Sequence, residues 1–168
     1  MSNVVYLISS LPSLTYGQPA PISLESFMLQ ASFQLSESTF KKLENLDVRK
    51  LSRAKDYGNL SSAISLSEDI EADKLEIRSA KRQSRTPNII TLPDKIMEKN
   101  PLELEKYLMK ILWDELDSID DMEHFTATEV FVYKLKLQIL ERLDSFDKEK
   151  GLEILDKVVY PAIEKMEN

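Results

Sequence analysis

The fold is decided by the stretch FTATEVFVYKLKLQILERLDSF, residues Phe125 to Phe146. At about 100° per residue, its apolar side chains fall into two adjacent rows on a helix. The first row contains Val130, Tyr133, Leu137 and Leu140, and the second contains Val132, Leu135, Ile139, Leu143 and Phe146. The remaining strip is polar and contains Lys134, Gln138, Glu141, Arg142 and Ser145. Because the two rows cover more than half of the circumference, we predict a central helix that neighbours cover on most sides.

The start of this helix carries a capping signal. Thr126 can serve as the N-cap, and Glu129 can reach back to the Thr126 amide, which makes a capping box. Phe125 and Val130 are spaced for a hydrophobic staple. Lys136 lies between the two apolar rows, so we interpret it as a lysine whose stem packs while its head reaches water. The alternative is that Lys136 faces a binding partner.

Composition bounds the class of protein. The chain has 168 residues, 42% of them hydrophobic and 30% charged, which fits one domain or a compact body plus a lobe. A net charge of −7 argues against general nucleic-acid binding. The absence of cysteine excludes disulfides, thiol catalysis and cysteine-ligated metals. Since the early apolar run from Val4 to Ile8 is too short for a signal peptide or membrane span, we expect a cytoplasmic protein.

The first forty residues are poor in charge, with Glu25 and Glu37 as the only charged side chains. Such a segment is expected in a core or against a partner, and the stretch from Ser9 to Tyr16 suits an apolar contact if it is exposed. The sequence from Val4 to Leu11 fits either a short helix or a buried strand. After a proline-rich loop, serine caps predict two short helices, or one helix with a break near Ser36. The caps are Ser23 and Ser36.

The middle of the chain contains a strongly charged helix. We predict weak helical structure up to Tyr57, a stop at Gly58, and a serine-rich connection over residues 60–66. A helix beginning at Ser67 then has acids at its start and bases at its end, which complements the helix dipole. The bases are Arg78, Lys81, Arg82 and Arg85. They fit either a solvated helix terminus or a small docking patch for an acidic partner.

The C-terminal part predicts further helices. Asn100 can cap a helix that starts at Pro101 and ends near Asp117. After the central helix, Asp147 can cap a last helix, which Pro161 should kink or split. We therefore predict an all-α protein, an irregular multi-helix bundle around a central buried helix. It would have an N-terminal helical part (1–86), a connecting segment (87–99) and a C-terminal bundle (100–168), packed as one compact unit.

Signals for catalysis are poor. The three glycines lie far apart, so neither a P-loop nor a dinucleotide-binding fingerprint can be built. His124 is the only histidine, and no Gly-x-Ser-x-Gly elbow accompanies it. The segment DELDSIDDMEH, Asp114 to His124, could bind a divalent ion, but it lacks the spacing of an EF-hand. We interpret it as a solvated acidic loop and predict no catalytic residue, no cofactor and no metal site.

Three segments resemble a known family. They are YLISSLPSL (6–14), ISLESF (22–27) and FTATEVFVYKLKLQILERLDSFDKEKGLEIL (125–155). They resemble small bacterial proteins of uncharacterised function whose genes accompany those of the V-type (V/A-type) ATPase. The order of elements also looks like a shortened C-type subunit of the archaeal ATPase, which is related to the eukaryotic d-type subunit. Tyr133, Lys136 and Arg142 match features of its long C-terminal helix, and we nominate Tyr133 and Lys136 as partner contacts.

This resemblance implies a non-catalytic rotor component with a shortened C/d-type arrangement of lobes. Such proteins link the central shaft to the membrane rotor ring during ion transport, so the membrane contact would be indirect, at the inner face of the cell membrane. The chain departs from the C/d type because it is shorter and has no base in YLISSLPSL. A free helical adaptor or regulator without an ATPase role is the alternative, and a metal-dependent hydrolase using Asp114 to His124 is a third reading.

Overall fold

A computed structural model describes residues 3–167, without the side chains of residue 97 and residues 148–167. The regular structure in this range is helical, and no strand occurs among the residues that it covers, which confirms the all-α prediction. The six α-helices are α1 (Val4–Ser10), α2 (Leu24–Gln34), α3 (Glu37–Asn45), α4 (Ser61–Arg82), α5 (Pro101–Asp120) and α6 (Ala127–Glu167). Short 3₁₀ segments span Val48–Arg53, Gly58–Leu60 and Asp94–Glu98.

The first half of α6 forms the centre of the molecule. Its side chains Val130, Leu135, Leu137 and Ile139 are each 0% exposed. Around them pack α1, α2, α3, α5 and the first two 3₁₀ segments. The prediction of a central buried helix is therefore confirmed, and its physical cause is the pair of adjacent apolar rows.

A second, smaller hydrophobic cluster lies between α4, the connecting segment and α5. It contains Ile70, Leu92, Ile96 and Leu108, all buried. The connecting segment thus supplies two of its own side chains to a core. The main cluster also combines residues from both sides of this segment, such as Leu43 and Leu116. The division into parts 1–86, 87–99 and 100–168 stays a prediction, since burial alone does not define a folding unit.

Three of the predicted caps are confirmed. The Ser23 hydroxyl accepts the Ser26 N–H, and the Ser36 hydroxyl accepts the Thr39 N–H, so α2 and α3 are two separate helices. The Asn100 side chain caps α5 in the same way, with Pro101 in the first turn. The segment from Val4 is a helix rather than a strand.

Several predicted boundaries are wrong. Helix α4 begins at Ser61, so residues 60–66 include its first turns and are not a connection. Leu60, Ala63 and, further along, Ile70 are buried at helical spacing, whereas Ser61, Ser62 and Ser65 are exposed. Helix α5 ends at Asp120 instead of near Asp117. Helix α6 continues through Asp147 to Glu167, so no last helix starts at Asp147 and Pro161 does not split it.

The start of α6 also differs from the capping box that we predicted. The Glu129 carboxylate accepts the N–H of Phe125, not that of Thr126. The Thr126 hydroxyl instead donates to the Glu123 carboxylate. Phe125 has a φ of 57° and is 54% exposed, whereas Val130 is 0% exposed, and the staple between them stays a prediction. The left-handed backbone at Phe125 turns the chain sharply between α5 and α6.

The polar strip of α6 holds the ends of the N-terminal helices. Lys134 Nζ donates to the carbonyl oxygens of Leu43 and Leu46, each at 2.6 Å, at the end of α3. Gln138 Oε1 accepts the N–H of Val48 at 3.0 Å. Glu141 Oε1 accepts the N–H of Leu24, the first residue of α2, at 3.1 Å. This strip therefore forms hydrogen bonds with backbone groups at the ends of α2, α3 and the first 3₁₀ segment.

Candidate partner-binding surfaces

A polar cleft lies between the loop after α1 and the helices α5 and α6. It has a volume of about 370 Å³. Two of the residues that the sequence nominated for partner contact, Tyr133 and Lys136, line it together. Leu11, Pro12 and Leu14 of the charge-poor stretch form the opposite wall. The cleft thus brings together candidates that lie far apart in the sequence.

Lys136 is buried in an ion-pair network. Its side chain is 9% exposed, and Nζ lies 2.5 Å from a carboxylate oxygen of Asp117 and 3.2 Å from one of Asp120. Nζ also lies 5.3 Å from the centre of the Trp113 ring, within range of a cation–π contact. The interpretation that the lysine head reaches water is therefore wrong. Acids one turn apart on α5 hold the ammonium group inside the cleft wall instead.

Tyr133 joins the charge-poor loop to the central helix. Its hydroxyl donates to the carbonyl oxygen of Pro12 at 2.7 Å, and its ring centre lies 5.2 Å from that of Phe27. Burial raises the pKa of Tyr133 to about 12, because the phenolate would lose its hydration. The hydroxyl therefore stays a proton donor at neutral pH and fixes the position of the loop.

The cleft is acidic in balance. Asp117, Asp120 and Glu129 line it against the single charge of Lys136. Two of these carboxylates pair with Lys136 and the third accepts the Phe125 N–H. Each carboxylate has further lone pairs that can accept hydrogen bonds. Such a surface can accept hydrogen bonds from a basic or amide-bearing group.

The four bases at the end of α4 and just after it do not act alike. Arg78, Lys81 and Arg82 are exposed, and their spacing puts them on one side of the helix. We call these three residues the basic patch. Arg85 instead pairs with Glu76 through two hydrogen bonds, one of them at 3.3 Å. Its charge is therefore largely neutralised within the molecule.

An exposed apolar surface on α1 and α2 was not predicted from the sequence. Val5, Tyr6, Leu29 and Phe33 are 54%, 59%, 59% and 76% exposed. The Asn3 N–H donates to the Gln34 carbonyl oxygen at 2.6 Å, which sets the start of α1 beside the end of α2. We call these four residues the α1–α2 surface. The i, i+4 spacing of Leu29 and Phe33 could have predicted this surface, because it places both residues on the side of α2 opposite the buried Phe27 and Ala31.

The stretch from Ser9 to Tyr16 supplies less apolar surface than expected. Its exposed residues include Ser9, Pro12 and Ser13. Its larger apolar side chains, Leu11, Leu14 and Tyr16, pack against the main cluster. The apolar contact area of the charge-poor segment therefore lies on α1 and α2, before and after this stretch.

Two acids of α4 hold the connecting segment. The Asp73 carboxylate is 4% exposed and accepts the N–H groups of Ile90, Thr91 and Leu92 at 2.8–3.1 Å. Burial opposes its ionisation, but the three hydrogen bonds together outweigh that effect and lower the pKa of Asp73. Hydrogen bonds from Arg85 and from the Asn88 N–H lower the pKa of the second acid, Glu76, to about 2.

The acidic segment from Asp114 to His124 is mostly helical. Residues up to Asp120 belong to α5, so the interpretation as an inter-helix loop is wrong for its larger part. Asp114 pairs with Lys110 at 2.8 Å, and Asp117 and Asp120 pair with Lys136. In the described part of the chain, no three His, Cys, Asp or Glu side chains gather as a metal site. Nor does any described helix have the length and apolar character needed to span a bilayer.

The fold and its surfaces define an all-helical protein with an acidic cleft, a basic patch and an exposed apolar surface. A family model described as "Protein of unknown function (DUF2764)" matches residues 52–166. This match covers more than half of the chain, so the chain belongs to the DUF2764 family. The comparisons with curated proteins and with solved structures give no match.

Proposed function

We propose that this protein is a non-catalytic component of a V/A-type ATPase, similar to its C/d-type subunit. In this role it would link the central rotor shaft to the membrane rotor ring during ion transport, and it would reach the membrane only through the complex. The resemblance of residues 6–14, 22–27 and 125–155 supports the assignment. That location would make it cytoplasmic and peripheral, at the inner face of the cell membrane.

The observation that carries the proposal is the α1–α2 surface. Four large apolar side chains are exposed on two helices that contact each other, in a segment whose charged residues number two in forty. Cores of protein interfaces are depleted in charge and enriched in aromatic residues, and here Tyr6 and Phe33 supply the aromatic rings. This composition suits a contact that gives affinity to another protein of the complex.

The basic patch supplies a second kind of contact. Arg78, Lys81 and Arg82 are exposed on a helix that packs beside α5, and no ion pair to these side chains occurs within the described ranges. Exposed charges at an interface rim contribute mainly to orientation and to the rate of association. An acidic surface on the shaft would be the complementary partner.

Co-expression with the central-shaft proteins and the rotor ring tests the proposal. We expect a complex that survives gel filtration and that the double variant Leu29→Asp with Phe33→Asp abolishes. Ile90→Asp is the matched control, because Ile90 is 88% exposed on the connecting segment, outside the α1–α2 surface. A fully coupled ATPase that never incorporates this protein in cells expressing it would instead favour the free adaptor.

A further inference from the structure

A second cavity lies at the seam between the two hydrophobic clusters. It has a volume of about 170 Å³ and opens to solvent. Leu51 and Leu112 of the main cluster meet Ile70 and Leu108 of the smaller cluster in its wall. We call it the seam cavity. A cavity of about 150 Å³ accommodates benzene, so this one can hold an apolar group of similar size.

Five charged side chains also line the seam cavity. Lys74 Nζ lies 3.3 Å from Glu71 and 3.9 Å from Glu105, so one ammonium group pairs with two carboxylates. The other two charged side chains are Arg49 and Arg142. Arg142 lies 4.8 Å from the Phe146 ring centre, and neither arginine forms an ion pair with any described residue.

The two acids of the adjoining groove already accept backbone hydrogen bonds. Asp47 and Glu141 line the adjoining groove together with both arginines. The Asp47 carboxylate accepts the backbone N–H of Arg49 at 2.9 Å, and Glu141 accepts the N–H of Leu24. Two guanidinium groups thus remain beside an apolar cavity, where a carboxylate is the group that they bind best.

We propose that the seam cavity binds an apolar monocarboxylate. The apolar body would lie against Ile70, Leu108 and Leu112, and the carboxylate would accept hydrogen bonds from Arg49 and Arg142. The ligand is either a free short-chain acid or the C-terminal residue of a polypeptide, since both present a carboxylate on an apolar group. This inference does not depend on the ATPase role.

Titration of the intact protein with hexanoate, followed by amide shifts in NMR spectra, tests the proposal. We expect saturable binding, whereas hexan-1-ol and hexylamine should bind at least about tenfold more weakly because they cannot pair with the arginines. Arg49→Gln with Arg142→Gln should weaken hexanoate binding by about tenfold or more. Arg78→Gln with Arg82→Gln removes the same charge elsewhere and should leave the binding unchanged.

The source of the carboxylate is distinguished by a second titration with N-acetyl-leucine and its C-terminal amide. If N-acetyl-leucine binds more tightly than hexanoate and its amide does not bind, the natural ligand is a polypeptide C-terminus. If hexanoate binds more tightly, the natural ligand is a free acid. Arg142→Lys keeps the charge and provides a milder variant, expected to bind hexanoate with intermediate affinity. The proposal is overturned if neither acid saturates below about 10 mM, if hexan-1-ol binds as tightly, or if the arginine variants bind normally.

Discussion

Lys134 Nζ lies 2.6 Å from the carbonyl oxygen of Leu46, although the two residues are 88 positions apart in the chain. The same ammonium group reaches the carbonyl of Leu43, so one lysine of the central helix caps the C-terminal end of α3. A positive charge at this end also complements the helix dipole. The contact explains how a lysine that is 5% exposed is tolerated in the core.

Replacing this lysine should therefore destabilise the fold. Lys134→Met keeps the length of the side chain but removes the donor to the carbonyl groups of Leu43 and Leu46, so we expect a loss of about 2–4 kcal/mol. Burial lowers the pKa of Lys134 in spite of the nearby Asp47 and Glu44. Between the lowered pKa of the folded state and the ordinary value of 10.5, the unfolded chain therefore binds more protons than the folded protein. The stability contributed by Lys134 rises as pH rises through this window.

Urea denaturation of the wild type and of Lys134→Met at several pH values measures this effect. Lys41→Met is the control, because Lys41 forms only an exposed pair with Glu37 and should change stability by less than about 0.5 kcal/mol. Equal stability of Lys134→Met and Lys41→Met would contradict the capping role.

The central helix predicts a second result. Leu137 and Leu140 are 0% and 3% exposed, so replacing either with alanine should cost about 2–5 kcal/mol. Leu75→Ala is the control, since Leu75 is 62% exposed on α4. Chemical denaturation that finds a loss below about 1 kcal/mol for both core variants would show that α6 is not central.

The central helix and three of the caps were predictable because they depend on local spacing. The apolar rows from Val130 to Phe146 require only the helical period, and Ser23, Ser36 and Asn100 act within one turn. The end of α6 was not predictable in this way. Asp147 has the chemistry of an N-cap, but the helix simply continues past it, and Asp147 pairs with Lys106 instead.

The sites depended on contacts between distant residues, which one sequence does not reveal. The helical period places Lys134 in the polar strip and Lys136 between the apolar rows, but it does not show which residues either lysine meets. One caps α3, and the other binds Asp117 and Asp120. Asp73 looked like a helix-dipole residue, yet it holds a loop 17–19 positions away. Only the packing of α4, α5 and α6 creates these pairs.

Asp73 predicts an acid-sensitive connecting segment. Asp73→Ala removes three hydrogen bonds to the backbone, and we expect a loss of about 2–4 kcal/mol at neutral pH. Because the folded-state pKa of Asp73 lies below the ordinary value of 3.8, its stabilisation is present above that value. It is lost as pH falls through the folded-state pKa.

The measurement compares urea denaturation of the wild type and the variant at pH 7 and at decreasing acid pH. The difference between the two proteins should shrink at acid pH. Asp69→Asn, an exposed change on the same helix, should stay within about 0.5 kcal/mol of the wild type. A difference that stays constant from pH 7 into acid would show that the carboxylate charge of Asp73 is irrelevant.

The buried ion pairs of Lys136 predict a spectroscopic change. Lys136→Met removes a charge 5.3 Å from the ring of Trp113, the only tryptophan, so the emission maximum should shift. Stability should fall by about 1–3 kcal/mol, because the side chains of Asp117 and Asp120 are 50% and 35% exposed and partly keep their hydration. Lys110→Met removes an exposed pair with Asp114 and should cost less than about 1 kcal/mol. An unchanged emission spectrum for Lys136→Met would contradict the contact.

The basic patch predicts salt-dependent assembly, provided that the ATPase proposal holds. Reversing Arg78, Lys81 and Arg82 to glutamate should slow association with the shaft proteins by about tenfold or more at low salt, and dissociation should change little. Surface plasmon resonance at increasing ionic strength measures both rates. The difference in association rate between the wild type and the triple variant should fade as the Debye length drops below about 10 Å near 0.1 M salt.

Arg85→Glu is the matched comparison, because Arg85 already pairs with Glu76. Arg85→Glu should weaken the contact between Glu76 and the connecting segment. It should change the association rate less than the triple reversal does. If the triple reversal instead accelerates only dissociation, at every salt concentration, these bases form part of the bound core of the interface and do not steer the encounter.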